Sequence, residues 1–360
     1  DSELQAYRLH RGDLLINRTN SLDQVGKVGI VDADREIVFA SYLVRLVVDR
    51  SKIEPEFLNL WLNSNIAQRT IKRIATPAVG QANLNPTEFQ KYCLVPLPPK
   101  TEQRRITELF RTWDEAIEKT ERLNALALTR FRGAQQRLFG ATAMKGEGWT
   151  TSSLARIADR VRRKSDGAEH PIMTISGKSG FLRQDEKFSR FMAGESVENY
   201  TLLNEGEFAY NKGNSKTYPQ GCIYRLEQKT ALVPHVYISF RLHSSLNSDF
   251  YAHLFQSGFL NRQLARLINS GVRNDGLLNL NVDDFFGCAV PVPPLDQQGR
   301  IANLFEIAKR ELTILEGQLR RLQCQKRGLM QKLLTGEWRV PLRDRKVEQL
   351  AEGAVEEITP

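Results

Sequence analysis

The 360-residue sequence contains no run of 18 apolar residues, which leaves it without a membrane-spanning stretch. It also lacks the charged head, apolar centre and small-residue cleavage site of a secretory signal. Cysteine is scarce: Cys93, Cys222, Cys288 and Cys324 are the only four, and none forms a C-x-x-C pair. Zinc spacing is therefore missing and no metal site is expected. Cys93 and Cys288 lie inside apolar runs, so the sequence predicts buried strand thiols there. Reduced thiols fit a cytoplasmic protein. The five histidines, His10, His170, His235, His243 and His253, are scattered and form no H-E-x-x-H. Neither G-x-G-x-x-G nor G-x-x-x-x-G-K-[ST] occurs, so no dinucleotide or ATP cradle is visible. Acids are outnumbered 42 to 51, giving +9 and a pI near 9.4. That balance suits a polyanionic partner, although many basic proteins never touch nucleic acid.

What the sequence has instead is a long internal repeat. "CLVPLPPKTEQRRITELF" (Cys93 to Phe110) returns as "CAVPVPPLDQQGRIANLF" (Cys288 to Phe305). "RGDLLINR" parallels "EGEFAYNK", "EFLNLWLNSN" parallels "DFYAHLFQSG", and "ANLNPTEF" parallels "LNLNVDDF". The copies begin unequally. The second runs from Trp149 before it reaches Glu205, whereas the first has only residues 1–10 ahead of Arg11. With Asp1 rather than Met at its start, the first copy is expected to be truncated at its N-terminus.

Each copy reads in two parts. The first mixes strands and helices. "DLLINR", "GKVGIVD", "SYLVRLVV", "GEFAYNK" and "VYISFRL" have β-branched and aromatic content. "EFLNLWLNSNIAQRTIKRIA" and "DFYAHLFQSGFLNRQLARLI" have helical apolar spacing. The second part is a long helix opened by Pro98-Pro99 or Pro293-Pro294 and ended near Gly140 or Gly336. Thr101-Glu102 and Asp296 suit the helix starts. Phe305, Ala308, Leu312, Leu315, Leu319, Leu322, Lys326, Leu329 and Leu333 alternate at three and four, a heptad seam. Ile106, Phe110, Trp113, Ile117, Thr120, Asn124, Ala127, Phe131, Ala134 and Leu138 repeat it with more polar breaks. Each stripe needs a long partner, and the other helix is the obvious one. Trp149 and Trp338 follow the two helix ends in similar contexts, as a closed pseudo-two-fold arrangement would require.

Two modules, each ending in P-L-P-P-x-x-E-Q-x-x-I and a long helix, resemble the specificity subunit of Type I restriction-modification enzymes. "PLPPKTEQRRI" and "PVPPLDQQGRI" carry the resemblance, which spans nearly the whole chain; Gln297-Gln298 departs from the Glu-Gln of the first copy. It implies a mixed α/β fold: two globular target recognition domains, residues 1–99 and 141–294, separated by two long helices packed as an antiparallel coiled coil. The helices would be 100–140 and 295–336, with a tail at 337–360. It further implies a non-catalytic, cytoplasmic chain that binds double-stranded DNA. Each domain would read half of a bipartite site, while the helical spacer docks two methylation subunits. Restriction subunits would complete the complex. S-adenosylmethionine, ATP and Mg are expected in those partner subunits, with no cofactor on this chain. The alternative is a truncated, non-reading scaffold or inhibitory chain that still binds methylation subunits.

Base reading needs Arg, Lys, Asn or Gln on loops of a rigid scaffold. Candidates are Asn17, Arg18 and Lys27 in "NRTNSLDQVGK", and Gln81 and Asn83 in "ATPAVGQANLN". The second copy offers Lys178 and Ser179 in "SGKSGF", Asn211, Lys212, Lys216 and Tyr218 in "NKGNSKTYPQG", and Arg273 and Asn274 in "NSGVRNDGLLN". Gly, Asn and Ser also make ordinary turns, so both readings stand for each loop. Arg160, Arg162, Arg163 and Lys164 suit phosphate contact or a solvated face equally. For the spacer and its partner binding the candidates are Ile106, Phe110, Trp113, Ile117, Phe305, Leu312, Leu315, Leu319 and Leu322. "NPTEF" faintly resembles the N-P-P-Y motif of adenine methyltransferases. A capped helix explains it better: Asn85 caps, Pro86 takes the first position, and Asn281 repeats the role. No catalytic residue is assigned.

Overall fold

Proline pairs, asparagine caps and apolar alternation fix the element borders in a computed structural model, which describes residues 7–32, 37–140, 148–184, 195–213, 218–268 and 278–340. The tail beyond Val340 lies outside the described residues. The chain divides into two units, residues 1–123 with 315–360 and residues 124–314.

In the first unit β1 (Leu14–Asn17) pairs antiparallel with β3 (Val28–Ile30) and β4 (Leu43–Leu46). A second small sheet joins β2 (Thr19–Asn20), β5 (Thr76–Ala78) and β6 (Gln81–Asn83) in the order β2-β6-β5. The stretch from Glu56 to Ala75 forms two helices, not one. α1 (Pro55–Leu62) stops, and Ser64 caps α2 (Asn65–Ile74) by accepting the Ala67 N–H. The Asn63 side chain between them binds both the N–H and the C=O of Val28, at 3.2 and 2.8 Å. α3 (Pro86–Tyr92) begins as the capping reading requires, with Asn85 Oδ1 accepting the Thr87 N–H at 2.9 Å. α4 (Lys100–Phe139) follows the proline pair.

In the second unit a four-stranded antiparallel sheet has the order β13-β12-β15-β8. It is built from β8 (Ala158–Arg160), β12 (Phe208–Asn211), β13 (Cys222–Arg225) and β15 (Ile238–Leu242). Three antiparallel pairs flank it. They are β9 (Met173–Ser176) with β10 (Gly180–Arg183), β11 (Thr201–Asn204) with β14 (Thr230–Val233), and β7 (Thr150–Ser153) with β16 (Ala289–Val292). The helices are α5 (Leu154–Ile157), α6 (Ser248–Gln256), α7 (Asn261–Leu267), α8 (Val282–Gly287) and α9 (Leu295–Leu334). The helical stretch after Asp249 is again broken, here at Gly258, whose φ of +77° is open to glycine and strained for other residues.

The seams behave as the spacing requires. Every seam residue on both long helices is buried or half-buried. In the first unit Asp114 pairs with Lys326, and Gln323 donates to Glu121. In the second, Arg130 meets Glu311 at 2.8 Å and the rings of Phe131 and Phe305 stand 5.5 Å apart. Within each unit, partners ascend one helix as they descend the other, so the pairing is antiparallel. The unit border falls inside the helices because each core takes side chains from both. Ile106 and Phe110 join Leu333 and Leu334 in the first core, and Phe139 joins Ala302 and Phe305 in the second. Each of the Ile, Leu and Phe side chains contributes about 1.5–3 kcal/mol when fully buried. Cys93 and Cys288 are buried as predicted, but at the C-caps of α3 and α8 instead of within strands.

Candidate nucleic-acid interface

The repeat places its polar loops in pairs. In the first unit the loop after β1 and the hairpin after α2 are laid side by side by backbone hydrogen bonds. Thr19 and Asn20 pair with Asn83 and Ala82, and the Leu84 N–H reaches the Arg18 carbonyl at 2.8 Å. The Thr19 hydroxyl adds a 2.8 Å bond to Asn83 Oδ1. The base of the first loop is closed by Gly26 N–H to the Asn17 carbonyl and Asn17 N–H to the Lys27 carbonyl. This geometry sorts the candidates. Arg18, Lys27 and Gln81 are exposed, whereas Asn17 and Asn83 are half-buried; Asn17 closes its loop through its backbone alone, and Asn83 ties the two loops through its side chain. Arg18 and Lys27 carry no ion pair among the described residues.

In the second unit the Leu278 N–H reaches the Lys212 carbonyl at 2.9 Å, tying the equivalent pair of loops. Asn211 works inward: its Oδ1 accepts the Gly213 N–H at 2.8 Å and its Nδ2 donates to the Ile175 carbonyl at 3.2 Å. The turn between β9 and β10 joins them. A side chain at Gly177 would sit 2.2 Å from the Tyr218 ring, so only glycine admits that approach. The Tyr224 hydroxyl donates to the Gly177 carbonyl at 2.6 Å. Lys178 and Ser179 are left exposed at the tip, beside a cavity of about 250 Å³ that Arg225 and Lys309 also line. Arg225 is taken by Asp249 at 2.5 Å, and Lys309 faces Glu227 at 3.8 Å. Lys212 and Tyr218 are half-buried. Lys216, Arg273 and Asn274 lie outside the described residues.

The basic run is divided. Arg163 holds buried Glu207 at 2.5 Å, and Glu207 also accepts the Asn204 N–H, so this arginine has a structural partner. Arg160, Arg162 and Lys164 remain exposed. Burial and the neighbouring Arg162 charge lower the pKa of Arg160 from its ordinary value. Chemistry of another kind is thinly represented. No group of three His, Cys, Asp or Glu placed to hold a metal occurs among the described residues. No helix there is long and apolar enough to cross a membrane.

Residues 3–128 match the family described as the Type I restriction modification DNA specificity domain. That segment is therefore similar to a type I restriction-modification specificity domain. The type I restriction enzyme MjaX specificity subunit of Methanocaldococcus jannaschii is 24% identical, over 94% of this chain and 81% of that one. The EcoBI specificity subunit of Escherichia coli is 28% identical over 47% of this chain and 37% of its own length. Two solved structures share the fold. The S subunit from M. genitalium superposes with a TM-score of 0.56 at 14% identity, covering 91% of this chain and 84% of that one. The HsdS subunit from Thermoanaerobacter tengcongensis gives 0.50 at 16%, covering 92% and 82%. The resemblance carried by the two P-x-P-P segments is borne out: the chain is similar along most of its length to type I specificity subunits.

Sequence reading passed over two exposed side chains beside the first loop pair. Val79 stands at the hairpin tip, fully exposed, and Tyr42 is 54% exposed while its carbonyl receives the Arg18 N–H at 3.0 Å. The turn "PAVGQ" was a usable signal for Val79; nothing local marks Tyr42.

Proposed function

We propose that each globular part of this specificity chain reads one half of a bipartite DNA site, and that the paired helices set the gap and dock methylation subunits. The observation that carries this reading is the duplicated loop pair. In both units two polar loops, far apart in sequence, are joined by backbone hydrogen bonds; the first unit's pair presents exposed Arg18, Lys27 and Gln81, and the second unit presents exposed Lys178 on the adjoining β9–β10 turn. Those groups donate and accept at base edges, while the side chains of Asn83 and Asn211 hold the loops from within. Lys27, Arg162 and Lys164 suit phosphate contact. Antiparallel helices of fixed length would permit a single spacing between half-sites.

The docking of methylation subunits has a natural surface. The seam residues Ile106, Phe110, Trp113, Ile117, Phe305, Leu312, Leu315, Leu319 and Leu322 turn toward the helix pairing, but Leu304, Ile307 and Ile314 of α9 are 47–62% exposed. Such a stripe on a long helix fits a helical partner. On this reading the chain itself performs no chemistry and works in the cytoplasm. S-adenosylmethionine would be bound by the methylation subunits, and ATP and Mg by the partner subunits of the assembly.

The test is co-expression with the neighbouring methylation subunit, followed by single-molecule mapping of N6-methyladenine in host DNA. A split motif with one fixed gap is expected. A stable complex that leaves no motif would mean that the chain docks partners without reading, and the proposal would fall.

A further inference from the structure

Two cavities occupy equivalent places in the two units. In the first, about 160 Å³ is lined by Asn63, Ser64, Ile66, Arg69, Arg327 and Met330. In the second, about 520 Å³ is lined by Ser257, Phe259, Arg262, Arg132, Gln136 and Phe139. The repeat superimposes their arginines. Arg69 and Arg262 fall at one position of the "EFLNLWLNSN" and "DFYAHLFQSG" alignment as it continues into α2 and α7. Arg327 and Arg132 stand equally far beyond Gln298 and Gln103 on the two long helices. Neighbouring positions have diverged, Asn65 to Gly258 and Ile66 to Phe259, yet each cavity keeps one arginine from a short helix and one from a long helix. All four are exposed and have no ion pair among the described residues. Other arginines on the same long helices do find acids, as Arg130 finds Glu311 and Arg300 finds Asp296.

We propose that each cavity seats a carboxylate side chain of one methylation subunit, clasped between its two guanidiniums. The inference rests on the docking reading above and supplies its anchoring residues. Two arginine forks converging on one opening match a carboxylate in geometry as well as charge. The apolar part of each lining favours a protein side chain over nucleic acid. Ile66 and Met330 in one cavity, and Phe139 and Phe259 in the other, offer apolar surface for the stem of a glutamate, which a phosphate backbone lacks. The first cavity also opens at the start of α2, and the candidate reading hairpin follows the far end of that helix, roughly 15 Å away by helix rise. Two matching sockets on one chain call for two copies of one partner.

The experiment uses the full chain, the purified methylation subunit, native mass spectrometry and a titration of binding affinity. Three variants are compared with the parent chain: Arg69→Gln with Arg327→Gln, Arg132→Gln with Arg262→Gln, and all four together. Each double variant should hold one subunit normally and the second at least about tenfold more weakly; the quadruple variant should lose both. The corresponding Arg→Lys set keeps the charge and folds without a change of sign, and it should fall between. If every variant binds two subunits with parental affinity, the sockets are not used and the docking reading survives alone. If two subunits still bind and only DNA affinity falls, the cavities serve phosphate and the proposal is overturned. If the parent chain binds no methylation subunit, the docking reading fails and the sockets fail with it.

Discussion

Gln103 Oε1 accepts the backbone N–H of Glu54 at 2.8 Å, and in the second unit Gln298 Oε1 accepts that of Asn247 at 2.9 Å. Glu54 and Asn247 are the N-cap residues of α1 and α6. The same amides donate to the carbonyls of Pro98 and Pro293, both at 2.8 Å. Each glutamine therefore fastens the first turn of a long helix to the start of a short one. That is the physical reason for a glutamine five residues beyond the first proline of each pair.

Gln103→Ala or Gln298→Ala should be costly, because both side chains are fully buried and each removal strands polar backbone groups. About 2–3 kcal/mol is expected for either. Urea unfolding of the full chain measures it, and a loss below about 0.5 kcal/mol would show that water replaces the staple.

On the proposed reading, the exposed candidates Arg18 and Lys27 should respond differently to substitution. Arg18→Ala is expected to cost about 1–3 kcal/mol on the half-site read by the first unit and to relax preference there. Lys27→Ala should instead weaken all sequences alike and lower the salt slope by about one. Fluorescence anisotropy on specific and scrambled duplexes at several salt concentrations separates the two; identical behaviour would remove these loops from the interface.

The seam offers a paired test. Leu319→Asp places a charge where the helices meet and should destabilise by about 2–4 kcal/mol, with loss of helicity on melting. Lys326→Leu removes the polar break, and because its partner Asp114 is 55% exposed and stays hydrated without it, the change should be neutral or stabilising. Unchanged circular dichroism melts for Leu319→Asp would contradict the pairing.

His253 makes the second unit sensitive to acid. Its side chain is 3% exposed and bonded to Glu306 at 2.9 Å. Burial pushes the imidazole below its ordinary 6.5, and the Glu306 charge opposes this without prevailing, with Lys309 and Asp249 nearby. The unfolded chain therefore binds the proton first. Stability is retained above pH 6.5 and lost as pH falls below it toward the lowered folded value. His253→Gln should flatten that slope in unfolding curves taken between pH 7.5 and 5.

Thiol labelling should discriminate just as sharply. Burial pushes the Cys93 and Cys288 thiols up to about 11, whereas Cys324 is exposed on α9. At pH 8 iodoacetamide should modify Cys324 in the native chain and reach the other two only after denaturation. Rapid native labelling of Cys93 would mean that α3 opens locally.

Much of this architecture could be read from the sequence because its strongest signals are periodic or paired. The seams, the proline starts and the Asn85 and Asn281 caps depend on local chemistry that repeats along the chain. The breaks at Ser64 and Gly258 were hidden by apolar spacing that continues across them, since one cap or one glycine outweighs a favourable period. Several short strands of the second unit, such as β11 and β14, carry too few residues for alternation to register. At the candidate interface the polar loops could be picked out, but not which side chains turn inward. Asn211 and Gln81 look alike in sequence, and only the Ile175 carbonyl and the Gly213 N–H reveal that the first is already occupied.

The Asn63 amide against Val28 has a consequence for solubility. β3 is an edge strand, and an unpaired edge invites a strand from another molecule. By binding both the N–H and the C=O of Val28, the amide takes the place that an incoming peptide would occupy. The second unit protects its own edge in the same way, with Gln263 exchanging two 2.8 Å bonds with Ala289 of β16. A side-chain amide at each border thus stands in for a missing strand and leaves that part of the edge closed to aggregation.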